Sequence, residues 1–175
     1  MSGLLEHVGI RQRDKPHWLA GQLASGHRPV TLMFRDTFGI HLHPVPVRPG
    51  KGVLGDGQAS LLAAPAGTRC RWRTSRLETA DGRLAAGAFL LWIPGRLPAE
   101  ANGALDAGKE AAGVILSRLP GGLSREYLRA VATDITDEIT GEAATVRSMA
   151  VLVTGGQPVG LAEENFMREF VESLA

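Results

Sequence analysis

The chain has 175 residues, a formal net charge of +1, 44% hydrophobic and 21% charged residues. That balance excludes a disordered charged segment and a strongly polyanion-seeking surface, and the length suffices to bury a core without staples. The only cysteine, Cys70, excludes an internal disulfide and a multi-cysteine zinc site.

One domain over residues 1–175 is expected, with no break in composition, repeat or low-complexity linker inside it. The start, "MSGLLEHVGIRQRDK", lacks a long apolar h-region and a small-residue cleavage site, and no stretch reaches ~18 consecutive apolar residues. The expectation is a cytoplasmic protein without membrane or nucleic-acid partner, either monomer or homodimer.

In chain order, Pro16 and "HWLAGQLA" predict a short helix stopped by "SGHRP". "PVTLMFRDT" has the β-branched and aromatic content of a strand, and "GIHLHPVPVRPG" alternates as an edge strand whose prolines limit its pairing. "TRCRWRTSRLET" and "RLAAGAFLLWIP" form a hairpin across Asp81-Gly82. "GRLPAEANGALDAG" and "KEAAGVILSRL" read as helices ending at "PGG". "REYLRAVATDIT" and "ATVRSMAVLVT" read as strands, the second turning through Gly155-Gly156 into "QPVGLAEENF". The tail "ENFMREFVESLA" has helical spacing at Phe166, Phe170, Val171 and Leu174. This order predicts an α+β fold with a largely antiparallel sheet. No dinucleotide fingerprint, P-loop or serine-nucleophile elbow is present.

The last strand ends on adjacent carboxylates. Period-two geometry puts Val159, Leu161 and Glu163 on one face and Gly160, Ala162 and Glu164 on the other, so Glu163 is the carboxylate with bulky apolar neighbours. Desolvation there would raise its pKa for proton transfer. The competing expectation is that both glutamates open the terminal helix and answer to its dipole. In "RCRWRTSRLET", Arg69, Arg71 and Arg73 share one face, and Cys70, Trp72, Thr74, Arg76 and Glu78 the other. If the Trp72 face is inward, Arg76 is the buried arginine, whereas the row of three is a solvated face. His41 and His43 share a strand face and lack the third and fourth ligands of a zinc site, so no metal is expected; His43 is a candidate pocket residue able to move a proton. Cys70 beside Trp72 is expected in the core.

From Trp18 to Phe166 the motifs "HWL", "RPVTLMF", the "ADG" hairpin ending at Pro94, "KEAAGVIL", "LSREYL", "VRS" and "GGQPVGLAEENF" follow one another as they do in the chorismate pyruvate-lyase family, which the chain resembles. That family shares its fold with ligand-sensing domains of some bacterial transcription regulators. The resemblance implies helices covering a buried pocket and a cofactor-free carbon-oxygen lyase that eliminates pyruvate from chorismate or a related small acid. Its catalytic glutamate falls on Glu163. Thr74 stands where the family has a substrate-binding arginine, with Arg76 one pleat further as carboxylate anchor. The second family arginine falls at Leu90 or Ala88. The backbone amides that touch product fall at Ala112 and Gly113, with Lys109 just ahead of them. The missing arginines shift the expected ligand toward a more apolar or singly charged one. The alternatives are another elimination, dehydration or cyclisation in the same pocket, or a non-catalytic small-ligand-binding module.

Overall fold

The computed structural model describes residues 14–175. The reading of residues 1–13 as free of an export signal lies outside the described residues. Helix α1 (Lys15–Ser25) starts on its proline and buries Leu19, Ala20 and Leu23. Helix α2 (Val30–Phe38) replaces the strand expected at "PVTLMFRDT". The buried residues Val30, Met33 and Phe34 fall at i, i+3 and i+4, and Gly39 ends the helix in the left-handed region at φ 66°. Burial of that stripe overrides the β preference of Val30 and Thr31. Phe34 is fully buried, with ring centroids 5.5 Å from Phe166 and 5.4 Å from Phe170.

Strand β1 (Leu42–Val53) is followed by helix α3 (Asp56–Leu61), the hairpin of β2 (Arg69–Thr79) and β3 (Leu84–Trp92), and helices α4 (Ala99–Ala107) and α5 (Ala112–Ser117). Strands β4 (Ser124–Thr136), β5 (Ala143–Thr154) and β6 (Gln157–Met167) lead into helix α6 (Arg168–Ser173). The six strands form one sheet in the order β1-β2-β3-β6-β5-β4, every neighbouring pair antiparallel. As expected for an edge, β1 carries Pro44, Pro46 and Pro49 and slips register between Pro46 and Arg48.

The two faces of the sheet are covered unequally. On one, Leu77, Ala86, Val146 and Phe166 pack against α1, α2 and α6, while Leu90, Trp92, Leu152 and Ala162 pack against α4 and α5. On the other, Ala59 of α3 with Leu54 and Leu62 covers only Cys70, Leu91, Val151 and Leu161. Burying each large aliphatic or aromatic side chain contributes on the order of 1.5–3 kcal/mol, so the helical layer is where most stability resides. Because β6 runs to Met167, Glu163 and Glu164 both lie in a strand, and the expectation that they open the terminal helix is corrected.

Candidate ligand cavity

Between the sheet and the helical layer lies a cavity of about 60 Å³. Arg73, Ser75 and Leu77 of β2 face it, together with Ala88 and Leu90 of β3, Ala162 and Glu164 of β6, and Arg125 of β4. Thr31 of α2 and Ala112 and Gly113 of α5 complete its helical side. The sheet offers small residues there, Ser75 on β2, Ala88 on β3 and Ala162 on β6.

Its charges are deeply buried. Arg125 Nη2 donates to both oxygens of Glu164 at 2.9 Å, and the two side chains are only 5% and 7% exposed. Ser148 Oγ adds a 2.7 Å hydrogen bond to Glu164. Burial opposes the charge of Arg125, but Glu164 and Tyr127 beside it hold its pKa above the ordinary guanidinium value. The Arg125 guanidinium lies 5.1 Å from the centre of the Tyr127 ring. Burial pushes the Tyr127 phenol up to about 12, with Arg125 pulling the other way and Glu164 adding to the rise.

Among the described residues Arg73 has no carboxylate within ion-pair distance. Its Nη1 donates to the Leu105 carbonyl at 2.6 Å and its Nη2 to the Glu110 carbonyl at 3.1 Å, tying β2 to the last turn of α4 and to the segment that follows it. Burial lowers its pKa, and Asp106 partly offsets this. Three lining residues, Thr31, Ser75 and Arg125, carry buried side-chain atoms without a partner: Oγ1, Oγ and Nε respectively. Buried polar atoms are ordinarily bonded, so these three set the lining of this cavity apart from the apolar core around it.

Leu90, Ala112 and Gly113 lie at the cavity. Gly113 also lets α5 approach α2, since a Cβ there would crowd Pro29. Glu163, Thr74, Arg76 and His43 do not reach it, and their expected placement is corrected. Glu163 and Thr74 line a groove on the opposite face. Arg76 is half exposed and pairs with Glu78 at 3.0 Å. His43 is exposed on β1, where Pro44 faces the cavity instead. Among the described residues no cluster of histidine, cysteine and carboxylate side chains could hold a metal.

The inversion has a physical cause. Bulky side chains fill space, and Trp72 and Leu161 mark the face that packs under α3; the cavity sits over the small residues of the other face. Arg73 is accordingly buried, not part of a solvated row. Sequence reasoning gave no role to Arg125, Ser75, Thr31 or Glu164 in the cavity. The signals available were the alternation that sets Glu164 beside Ala162 and the position of Arg125 within "LSREYL".

This architecture is the fold of the C-terminal ligand-binding domains of GntR-family transcriptional regulators. The effector domain of PhnF from Mycobacterium smegmatis matches with a TM-score of 0.57 and 16% identity, over 81% of this chain and 90% of that one. Against PhnF itself the TM-score is 0.56 at 15% identity, over 82% of this chain, which spans 65% of the PhnF chain. The ligand-binding domain assigned to a GntR-family regulator of Bordetella bronchiseptica matches with a TM-score of 0.53 at 14% identity, over 73% of this chain and 84% of that one. At these identities the likeness establishes the fold. No protein-family model and no curated protein sequence matches the chain. The expectation of a carbon-oxygen lyase is corrected: the similar structures are regulator effector and ligand-binding domains, and Glu163, the expected proton carrier, lies on the other face of the sheet from the cavity. No helix among the described residues is long and apolar enough to cross a membrane.

Proposed function

We propose that this chain is a non-catalytic binding domain for a small anionic molecule, whose charged group enters the cavity between the sheet and helices α2 and α5. The observation that carries the reading is that three lining residues, Thr31, Ser75 and Arg125, each hold a buried side-chain atom able to donate and without a partner, beside the Arg73 guanidinium and the Glu164 carboxylate. The excess positive charge sits where water does not screen it, so a carboxylate or phosphate ester is the guest with matching chemistry. A volume of about 60 Å³ suits a charged head group or a handful of waters. Arg73 gives occupancy a mechanical consequence: an anion that attracts its guanidinium competes with the Leu105 and Glu110 carbonyls and loosens the α4–α5 segment. In a regulator, such a shift would carry ligand occupancy to the rest of the molecule.

Titration calorimetry with benzoate, succinate and glycerol phosphate tests the reading, using wild type and Ser75→Ala. At least one compound is expected to bind saturably, and Ser75→Ala to weaken it by about three- to tenfold without loss of thermal stability, because the hydroxyl removed has no partner in the protein. No binding by wild type to any of the three, or equal binding by the variant, overturns it.

A further inference from the structure

The second face of the sheet carries a groove of its own, on the opposite side from the cavity. Beyond the patch covered by α3 lies an open groove of about 440 Å³, lined by Thr74, Phe89, Ile135, Ile139, Arg147, Glu163 and Asn165 among others. That volume is within the range of small-molecule sites. Register sets two rows of residues across this part of the sheet. Thr74, Phe89, Glu163 and Met149 lie side by side across β2, β3, β6 and β5, and Arg76, Gly87, Asn165 and Arg147 form the next row.

Gly87 leaves a gap in that second row, and the buried Asp137 carboxylate fills it: a Cβ at Gly87 would stand 2.7 Å from the Asp137 carboxyl carbon. Asp137 is held there by the backbone amide and hydroxyl of Thr140, each donating at 2.8 Å, and by Asn165 Nδ2, also at 2.8 Å. Because the carboxylate only accepts, the Asn165 amide is fixed with its nitrogen toward Asp137. Its Oδ1 is thereby left buried without a donor. Next to it Arg147 Nη2 donates to Glu163 Oε1 at 2.7 Å, with both side chains partly open to solvent at 36% and 22% exposure. A pair so exposed adds little to stability, so the fold gives it no evident reason to be here.

We infer that this groove binds a zwitterionic amino acid with an apolar side chain. Its ammonium group donates to Glu163, which uses one of about four acceptor positions in the protein. Its carboxylate accepts from Arg147. Its side chain lies against Phe89 and Ile139. The ligand closes a ring of four alternating charges with donors and acceptors already in position, and it needs both charged ends to do so.

The test is titration of the wild-type chain with leucine, N-acetyl-leucine and leucinamide, followed by two-dimensional NMR and calorimetry. Leucine is expected to bind saturably and to shift the Asn165 side-chain amide. Each derivative, lacking one charge, is expected to bind at least about tenfold more weakly. Glu163→Gln, nearly isosteric, is expected to lose leucine binding to the same extent with its melting temperature preserved, and Arg147→Met serves as the second variant should the first fold poorly. Ser75→Ala on the other face leaves leucine affinity unchanged. Absence of saturable leucine binding by wild type, affinity for the derivatives equal to that for leucine itself, or leucine affinity unaltered in both variants overturns the assignment. Two derivatives equally weak relative to leucine are the expected result. A concentration-dependent dimer in which the groove residues are protected also overturns it, since a second copy would then be the occupant.

Discussion

Arg125 and Glu164 meet at the centre of the sheet's helical side, one guanidinium nitrogen 2.9 Å from both carboxylate oxygens, in surroundings that leave each side chain almost wholly shielded from water. The two residues are 39 positions apart and belong to strands separated by β5. Ser148, directly opposite Glu164 on β5, sits between them and supplies a further hydrogen bond. The pair therefore joins three strands as well as lining the cavity.

Breaking this pair from one side should be costly. Glu164→Ala leaves the Arg125 charge buried without its counterion, and a loss of about 3–5 kcal/mol is expected by urea denaturation. Replacing both residues by apolar ones of similar size, as in Arg125→Met with Glu164→Leu, should cost far less than the sum of the single changes. Additive losses would show that the two charges do not compensate each other.

Tyr127 gives a pH reading free of interference, since it is the only tyrosine in the sequence. Its phenol is raised to about 12, chiefly by burial. An unfolded tyrosine loses its proton near ~10, so between those values the unfolded chain ionises and the folded one does not. The contribution to stability is complete below about pH 10 and falls as pH rises toward 12, by up to about 1.4 kcal/mol per pH unit. Ultraviolet titration of the tyrosinate band checks the midpoint, and Tyr127→Phe should flatten the stability loss across that window. A midpoint near the ordinary value would place the phenol in water.

Gly87 tests the architecture of the second face. A methyl group there would stand closer to the Asp137 carboxylate than the 3.0 Å real Cβ atoms respect. Gly87→Ala should lower stability by about 1–3 kcal/mol through overpacking, and should raise hydrogen exchange at the Thr140 amide as Asp137 is displaced from it. An unperturbed Thr140 amide would mean that the turn yields without losing its anchor.

Much of the fold was legible because it rests on local chemistry. Asp81-Gly82 and Gly155-Gly156 sit between alternating segments, and the structure turns both hairpins there, with Gly82 at φ 84° and Gly156 at φ 77°. The prolines of β1 announced an edge, and they lie on one. The segment Val30–Phe38 was misread because its residue types favour a strand, whereas its spacing gives a helical stripe once Phe166 and Phe170 are there to receive it.

The site was legible only in part, for a reason rooted in the sheet itself. Alternation along β2 and β6 correctly separated Arg73 from Arg76 and Glu164 from Glu163, because side-chain direction in a strand is set by backbone geometry alone. Which of the two faces would enclose a cavity is not a property of any strand. It depends on where α2 and α5 lie against the sheet, on α3 filling the space beside Trp72 and Leu161, and on Ala162 and Ala88 leaving space on the other side. Sequence by itself determined the two sets of side chains; packing between distant segments decided which set was buried around a void and which was left facing an open groove.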